Sequence, residues 1–544
     1  MKMKPRMLFA ALLLLSVIRA GAFERCYVST DRAVYVAGDI VWCSVFCLDG
    51  NGRLSSESAL AYVEIASSQG TSVTGKIALM GGRGAGAISI PLQVPTGNYR
   101  LFAYTALEKQ ESDFDPLPGS KLVSIFNTGS TSRVRGGVEI VEDYDAVGQV
   151  GANPGNLSLE VRGANLVFTL PEQAGVSVSI YHDDGIKRPG AVGPAEFLKA
   201  VPRAVAYPSR PEAEFDGEVI RGTLYGADVA KVVADPASLA VISSPGSAGD
   251  SYLSKLGPDG KLTFRTNNIY GHRDLVCEIL GMGEGTECHF EPDDPFLRPE
   301  TGVVEPLRMN ASLLGALESR SRAMRAERTA DTLYEFLPKR ENLLLNHEDR
   351  TVYHLDDYVR FNTIQDIIVE IVPELVIRRS RSGGKELRMV LRDARSNSVV
   401  HSRNVLALLD GVPVTDITHL LDFDAMLLSD LHLYPYTYSL GGTVFEGIVD
   451  FITTTGDISS LAFDPNVRIV DFDGVSYPVA YTCKDFEPEG EDIRQLLYWH
   501  PLVVASEGET VSIPFRLPAY EGRFRAVVEG FSASGKPLYG EIEF

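Results

Sequence analysis

Much of what defines familiar protein classes is missing from this chain. It has no Gly-x-Ser-x-Gly elbow, no His-Glu-x-x-His and no glycine-rich phosphate loop ending in Lys-Ser or Lys-Thr. Its nine histidines are scattered singly, and the nearest two, His347 and His354, lie seven residues apart beside acidic residues. Cysteine is sparse, six in 544 residues, with no Cys-x-x-Cys spacing to hold a metal. Catalytic residues, cofactors and metal ligands are therefore all expected to be none, and the chain is expected not to be an enzyme. Basic residues are in deficit, giving a net charge of −21 that repels nucleic acid and anionic lipid alike. Long apolar runs are missing too. The one run, Met7 to Ile18, is too short for the ~20 residues that cross a bilayer.

That short run has the features of a secretory signal. Lys2, Lys4 and Arg6 precede it, and Ala20-Gly21-Ala22 places small residues where the peptidase reads. The expected mature chain starts at Phe23, carries no transmembrane segment, and lies in the periplasm or against the outer membrane. Cys26 follows Phe23-Glu24-Arg25 rather than small residues, which argues against a lipid anchor. Six cysteines in an exported chain permit disulfides, in fifteen connectivities. Cys277 and Cys288 flank a glycine-rich turn and could bridge a hairpin. Cys43 and Cys47, about 13 Å apart along one strand, could not bridge each other and are expected as buried thiols.

Fifty glycines and thirty prolines, with 22 Tyr and 24 Phe, favour short strands joined by turns. Val41, Cys43, Val45 and Cys47 alternate with Trp42, Ser44 and Phe46, the pattern of a half-buried strand. The stretch Tyr27-Val28-Ser29-Thr30-Asp31-Arg32-Ala33-Val34-Tyr35-Val36-Ala37-Gly38-Asp39 resembles the opening of domains in the alpha-2-macroglobulin family. Gly97-Asn98-Tyr99-Arg100-Leu101-Phe102-Ala103-Tyr104-Thr105 resembles the closing strand of such a domain. Leu496-Leu497-Tyr498-Trp499-His500-Pro501 is similar to the tryptophan strand of a late domain of that family. The family's thioester sequence Cys-Gly-Glu-Gln is absent, so the resemblance implies no covalent trapping of proteases. Glu218 to Thr223 and Gly257 to Phe264 look like a small carboxypeptidase-regulatory-like sandwich.

The period changes after a Pro- and Asp-rich linker. Asn310 to about Phe336 reads as a helix capped by Asn310, with Arg320, Arg322, Arg325 and Arg328 on a solvated face. Ile364 to Val372 reads as a second helix, closed by Pro373. From Val405 to Gly456 the order is strand, Asp410-Gly411-Val412-Pro413 turn, short helix, strand, glycine turn and Ile452-Thr453-Thr454 strand. This resembles the plug domain of TonB-dependent outer-membrane receptors. Such plugs fill barrels of roughly 22 strands of about 9–11 residues each, and between Asp457 and Phe544 there is no room for one. Phe544 reads as part of the final sandwich rather than as a barrel terminus.

The expected fold is mainly β and multidomain, with macroglobulin or immunoglobulin-like β-sandwiches, one α+β plug-like domain and a connecting helix. The divisions are a signal at 1–22, a sandwich at 23–134, a β-rich domain at 135–210 and a small sandwich at 211–292. A linker and helix at 293–349, the plug-like domain at 350–457 and a C-terminal sandwich at 458–544 complete it. If Leu431 to Tyr438 is extended, His432, Tyr434, Tyr436 and Tyr438 share a face suited to binding a protein or glycan. Packing against the domain's own helices is the alternative for that face. Paired aspartates such as Asp183/Asp184, Asp422/Asp424 and Asp471/Asp473 read as solvated turn residues. The expected role is a non-enzymatic docking protein of the cell envelope, its partner another envelope or outer-membrane protein. A thioester-less protease binder and an adhesive spacer are the other readings.

Overall fold

In the computed structural model the chain is mainly β, in many small sheets. It describes residues 23–544 apart from 130–137, 143–154, 191, 203–206, 208–210, 247–249, 268, 284, 330–334, 337–349, 380–383, 393–398, 403, 415, 441–442, 462, 482–491 and 519. The expected signal segment, Cys483 and the expected Gly441-Gly442 turn thus lie outside the described residues. Among those described, no helix is long and apolar enough to cross a membrane. The chain divides into two compact units. The first comprises Met1–Gly217, Phe296–Leu337 and Val475–Phe544, and the second Glu218–Pro295 and Pro338–Gly474.

In the first unit, the strands Arg25–Thr30, Ile40–Leu48 and Arg83–Ser89 form one sheet. A second sheet runs Val34–Val36, Lys121–Phe126, Gly97–Tyr104, Leu60–Ser67 and Gly70–Ala78. Val41, Val45, Val63, Ile65, Leu101 and Ile125 fill the core between them. Gly38, at φ +100°, makes the turn into Ile40–Leu48, and Asp39 closes it by accepting the Val36 N–H at 2.8 Å. Ile40–Leu48 is buried on both faces, not half-buried. Its outer face meets another sheet: Trp42 lies 5.6 Å from Trp499, Phe46 lies 5.7 Å from Phe531, and Ser44 Oγ donates to Pro501 O. An alternating pattern with large aromatics on the second face is thus the mark of a strand between two layers.

The second sheet layer is assembled from distant segments. Ala174–Asp183 is central, with Leu496–Ala505 on one side and Arg523–Ser532 and Pro537–Glu543 on the other. Stretches expected in separate 135–210 and 458–544 domains therefore contribute strands to one sheet. Phe544 packs against Phe515 and Phe524 in this sandwich. The helix Leu314–Thr329 follows a 3-10 turn whose Asn310 side chain accepts the Ser312 N–H. Its Leu317 and Met324 pack on Val34, Val36 and Phe126. Arg320 is not on a solvated face. It is buried, forms a two-point ion pair with Asp184 at 2.5 and 3.0 Å, and donates to Val34 O. The Asp184 carboxylate supplies the partner that makes this burial tolerable.

In the second unit, Lys261–Arg265, Val219–Tyr225 and His289–Pro292 form one sheet. Asp250–Lys255, Leu239–Ser244, His272–Leu280 and Arg468–Asp473 form the sheet opposite. The bridge considered for Cys277 and Cys288 is not formed. Both are buried free thiols, and each lies in the apolar core of this sandwich. Cys26, Cys43 and Cys47 are also buried free thiols.

Candidate functional site

A five-stranded sheet of the second unit runs Thr351–His354, Leu428–Tyr434, Ile448–Thr453, Leu406–Leu409 and Val412–Pro413. Its sequence order is a strand, a tight turn, the helix Ile417–Leu421 capped by Asp416, and two further strands. Asp410 and Gly411 have φ +50° and +77°, and Leu409 faces Val412 across the turn. Two consecutive left-handed residues in a two-residue loop give the type I′ turn that Asp-Gly favours. Along each strand, side chains alternate between faces. Ala407, Leu409, Leu431, Leu433, Val449 and Phe451 enter the core beneath, with Ile364, Ile367 and Ile368 of the helix Ile364–Glu370.

The opposite face carries the polar residues. Register places His354 opposite Asp430, His432 opposite Asp450, and Asp450 beside Leu408. One row on, Tyr434 sits opposite Ile448. Asp450 is buried, and its Oδ1 accepts the Gly411 N–H at 3.0 Å. Asp410, also buried, accepts from the Thr453 N–H at 2.9 Å and from Thr453 Oγ1 at 2.6 Å. Burial pushes the Asp450 carboxyl up to about 7, with the Asp410 charge adding to the shift and the Gly411 N–H opposing it. Burial raises Asp410 as well. Burial lowers His432, and the Arg350 charge lowers it further. Burial lifts Tyr434 up to about 12, helped by Asp450. Burial also works against the charge on Asp430, but hydrogen bonds from Ser429 Oγ at 2.7 Å and His354 Nδ1 at 2.6 Å outweigh it and hold its pKa low.

At neutral pH His432 and Tyr434 are uncharged, Asp430 is a carboxylate and Asp450 is near its midpoint, and Tyr434, Asp450, Leu408 and Ile448 are all buried. Of the four aromatic residues expected to share a face, the structure brings three together. His432 and Tyr434 lie on one face with ring centroids 6.5 Å apart, and Tyr438 packs on Tyr434 with Leu408 and Ile448. The strand ends at Tyr434, so Tyr436 leaves it in the turn after Pro435 and is exposed. Asp410 and Asp450 were not foreseen as a pair. The Asp-Gly turn is visible in the sequence, but their contact depends on a parallel pairing across forty residues. Among the described residues, no group of three His, Cys, Asp or Glu is placed to hold a metal ion.

One end of the face is apolar and open. Arg360 Nη1 donates to Leu428 O, and Ala425 N donates to Asn362 O, so the 358–362 and 424–428 segments run side by side. They expose Tyr358 and Val359 on one and Met426 and Leu427 on the other, with Val359 at 78% and Met426 at 51% exposure. Thr351–His354, next to them, is an edge strand whose partner among the described strands is Leu428–Tyr434 alone.

No protein-family model matches this chain, and no curated protein does. Among solved structures it is similar to Escherichia coli alpha-2-macroglobulin activated by porcine elastase, at 9% identity and a TM-score of 0.24, over 96% of this chain and 43% of that one. It is also similar to Salmonella alpha-2-macroglobulin reacted with methylamine, at 10% identity and a TM-score of 0.16, over 97% of this chain and 24% of that one. A tetra-tandem repeat from the extending region of a large adhesion protein matches at 8% identity and a TM-score of 0.14, over 96% and 98%. The chain spans less than half the length of these macroglobulins. Scores this low carry no argument about activity or partner.

Proposed function

We propose that this protein is a non-enzymatic docking protein of the cell envelope, whose plug-like sheet seats an outer-membrane or other envelope protein. The carrying observation is the edge strand Thr351–His354, paired on one side only among the described strands, beside Tyr358, Val359, Met426 and Leu427. Contiguous exposed apolar residues mark interaction surfaces, and an unpaired strand edge offers backbone donors and acceptors to a second chain. Tyr436, exposed at the far end of the strand, would extend the contact.

The test is photo-crosslinking in living cells, with a crosslinking residue placed at Val359, Leu427 or Tyr436 of the full chain. An exposed control position is Val303, in the first unit. The expected result is one crosslinked outer-membrane or envelope protein at the three test positions and not at Val303. No crosslink at those positions, or the same products at Val303, overturns the reading.

A further inference from the structure

Two of the cysteines face each other across a strand pair. Cys26, on Arg25–Thr30, is directly opposite Cys47, on Ile40–Leu48. The backbone of Cys47 points away from that neighbour: its N–H donates to Gly82 O, and its carbonyl accepts from Ser55 N. The Cys26/Cys47 pair is therefore of the non-hydrogen-bonded type, in which facing Cα atoms stand about 4.5 Å apart. Disulfides span about 4.4–6.8 Å between Cα atoms. Both side chains enter the same core, beside Val28 and Val45. Cys43 is in that core as well, but its Sγ donates to Val41 O, and it faces Thr30 across the pair.

We propose that Cys26 and Cys47 are a disulfide-forming pair, closed during folding by thiol–disulfide exchange once the chain is exported. Each thiol loses a proton and an electron, the S–S bond forms, and the disulfide of the exchange partner is reduced to two thiols. Burial pushes the Cys47 thiol up to about 12 and raises Cys26 well above the ordinary thiol value, so neither is a ready nucleophile in the closed core. The bridge therefore forms before the two sheets close, and it is protected from reduction afterwards. It ties the first residues of the mature chain to the centre of the sheet.

The experiment is thiol mapping of the full chain, purified from the envelope fraction and denatured in N-ethylmaleimide without reductant. Trypsin cleaves after Arg25, Arg32 and Arg53, giving peptides 26–32 and 33–53. The expected product is these two joined with the loss of two hydrogens, and chymotryptic cleavage after Phe46 assigns the link to Cys47 rather than Cys43. Finding peptides 26–32 and 33–53 fully alkylated overturns the proposal. Should the chain retain residues 1–22, the export reading fails by itself. The pair is then tested by refolding in oxidised glutathione, where the same link is expected and full alkylation again overturns it. Dithiothreitol should lower the apparent Tm by about 5–10 °C in the wild type and leave the Cys26→Ala/Cys47→Ala double variant unmoved.

Discussion

Two pairs of aspartates, one partly buried in the first unit and one buried in the second, have pKa values shifted in opposite directions. In the first unit Asp183 and Asp184 end the strand Ala174–Asp183. Asp183 meets Arg525, and Asp184 meets Arg320. Burial works against both charges, yet the arginines outweigh it and hold both pKa values below the ordinary carboxylate range. In the second unit Asp410 and Asp450 accept only N–H and hydroxyl donors, and burial raises both. The first pair has an arginine counter-ion for each carboxylate, and the second has only neutral donors. The first pair stabilises its surroundings as carboxylates, whereas Asp450 is most compatible with its site when it carries a proton.

The strongest way to break this comparison is to remove a cation from the first pair. Arg525 pairs with Asp183, Glu541 and Glu543. Glu541 keeps Arg188 and Glu543 keeps Arg523, so Arg525→Met should chiefly leave Asp183 without its cation and destabilise the first unit by about 2–3 kcal/mol. Both tryptophans, Trp42 and Trp499, lie in that unit, so the urea midpoint read by tryptophan fluorescence reports on it alone. In the wild type, the lowered pKa values of Asp183 and Asp184 give stability that is full above pH ~4. That stability is lost as pH falls through the lower folded values. An unchanged midpoint in the variant would show that the ion pairs do not hold this sheet.

The converse test concerns Asp450. Its folded pKa of about 7 lies above the unfolded value of about 3.9. Its contribution to stability is therefore complete below pH ~4 and declines up to about 7, by on the order of 4 kcal/mol at most. Hydrogen exchange of Leu406–Leu409 and Ile448–Thr453, corrected for intrinsic rates, should show protection falling over that range. Asp450→Asn keeps an acceptor for the Gly411 N–H and cannot ionise, so it should remove most of the pH dependence and leave the part due to Asp410. A variant that retains the slope places the titrating group elsewhere.

Thr453→Val sharpens the same contrast with a smaller effect. It deletes the hydroxyl that donates to Asp410 Oδ2 at 2.6 Å and accepts from Gly456 N at 2.8 Å, while keeping the side-chain shape. The expected loss is about 1–2 kcal/mol, read as faster exchange in Ile448–Thr453. Equal exchange in both proteins would mean that the Asp410 turn is held by its backbone alone.

Periodicity and turn chemistry made much of the second unit's sheet legible. Asp410-Gly411 marks the hairpin, Pro373 follows the helix Ile364–Glu370, and alternation separates Leu431 and Leu433 from His432 and Tyr434. Contacts between distant segments left no such trace. Nothing local signals that Arg468–Asp473 adds to His272–Leu280, or that Ala174–Asp183 lies between Leu496–Ala505 and Arg523–Ser532. The aspartates show the same limit at the scale of single residues. Asp183/Asp184, Asp422/Asp424 and Asp471/Asp473 look alike in sequence. Yet Asp184 binds a buried arginine, Asp424 caps a 3-10 turn, and Asp471 and Asp473 flank a histidine in solvent. Burial and counter-ion are tertiary properties, and they alone separate these roles.

That last pair offers the smallest expected effect and the cleanest control. His272 Nδ1 lies 3.0 Å from Asp473 and its Nε2 3.0 Å from Asp471, on adjacent strands with all three side chains largely exposed. The hydrogen bond to Asp473 raises the histidine pKa, and the Asp471 charge adds to it. The linked stabilisation is complete below pH ~6.5 and is lost as pH rises through the folded value. Water and salt screen an exposed pair, so the consequence for unfolding should be near the limit of measurement even though the titration shift is real. An NMR titration of His272 should show a midpoint above the ordinary histidine value that falls towards it in Asp473→Asn and in added salt. If Asp473→Asn instead moved the unfolding midpoint as far as Arg525→Met does, exposure would not be the variable that separates these sites, and the contrast between the buried pairs would need a different cause.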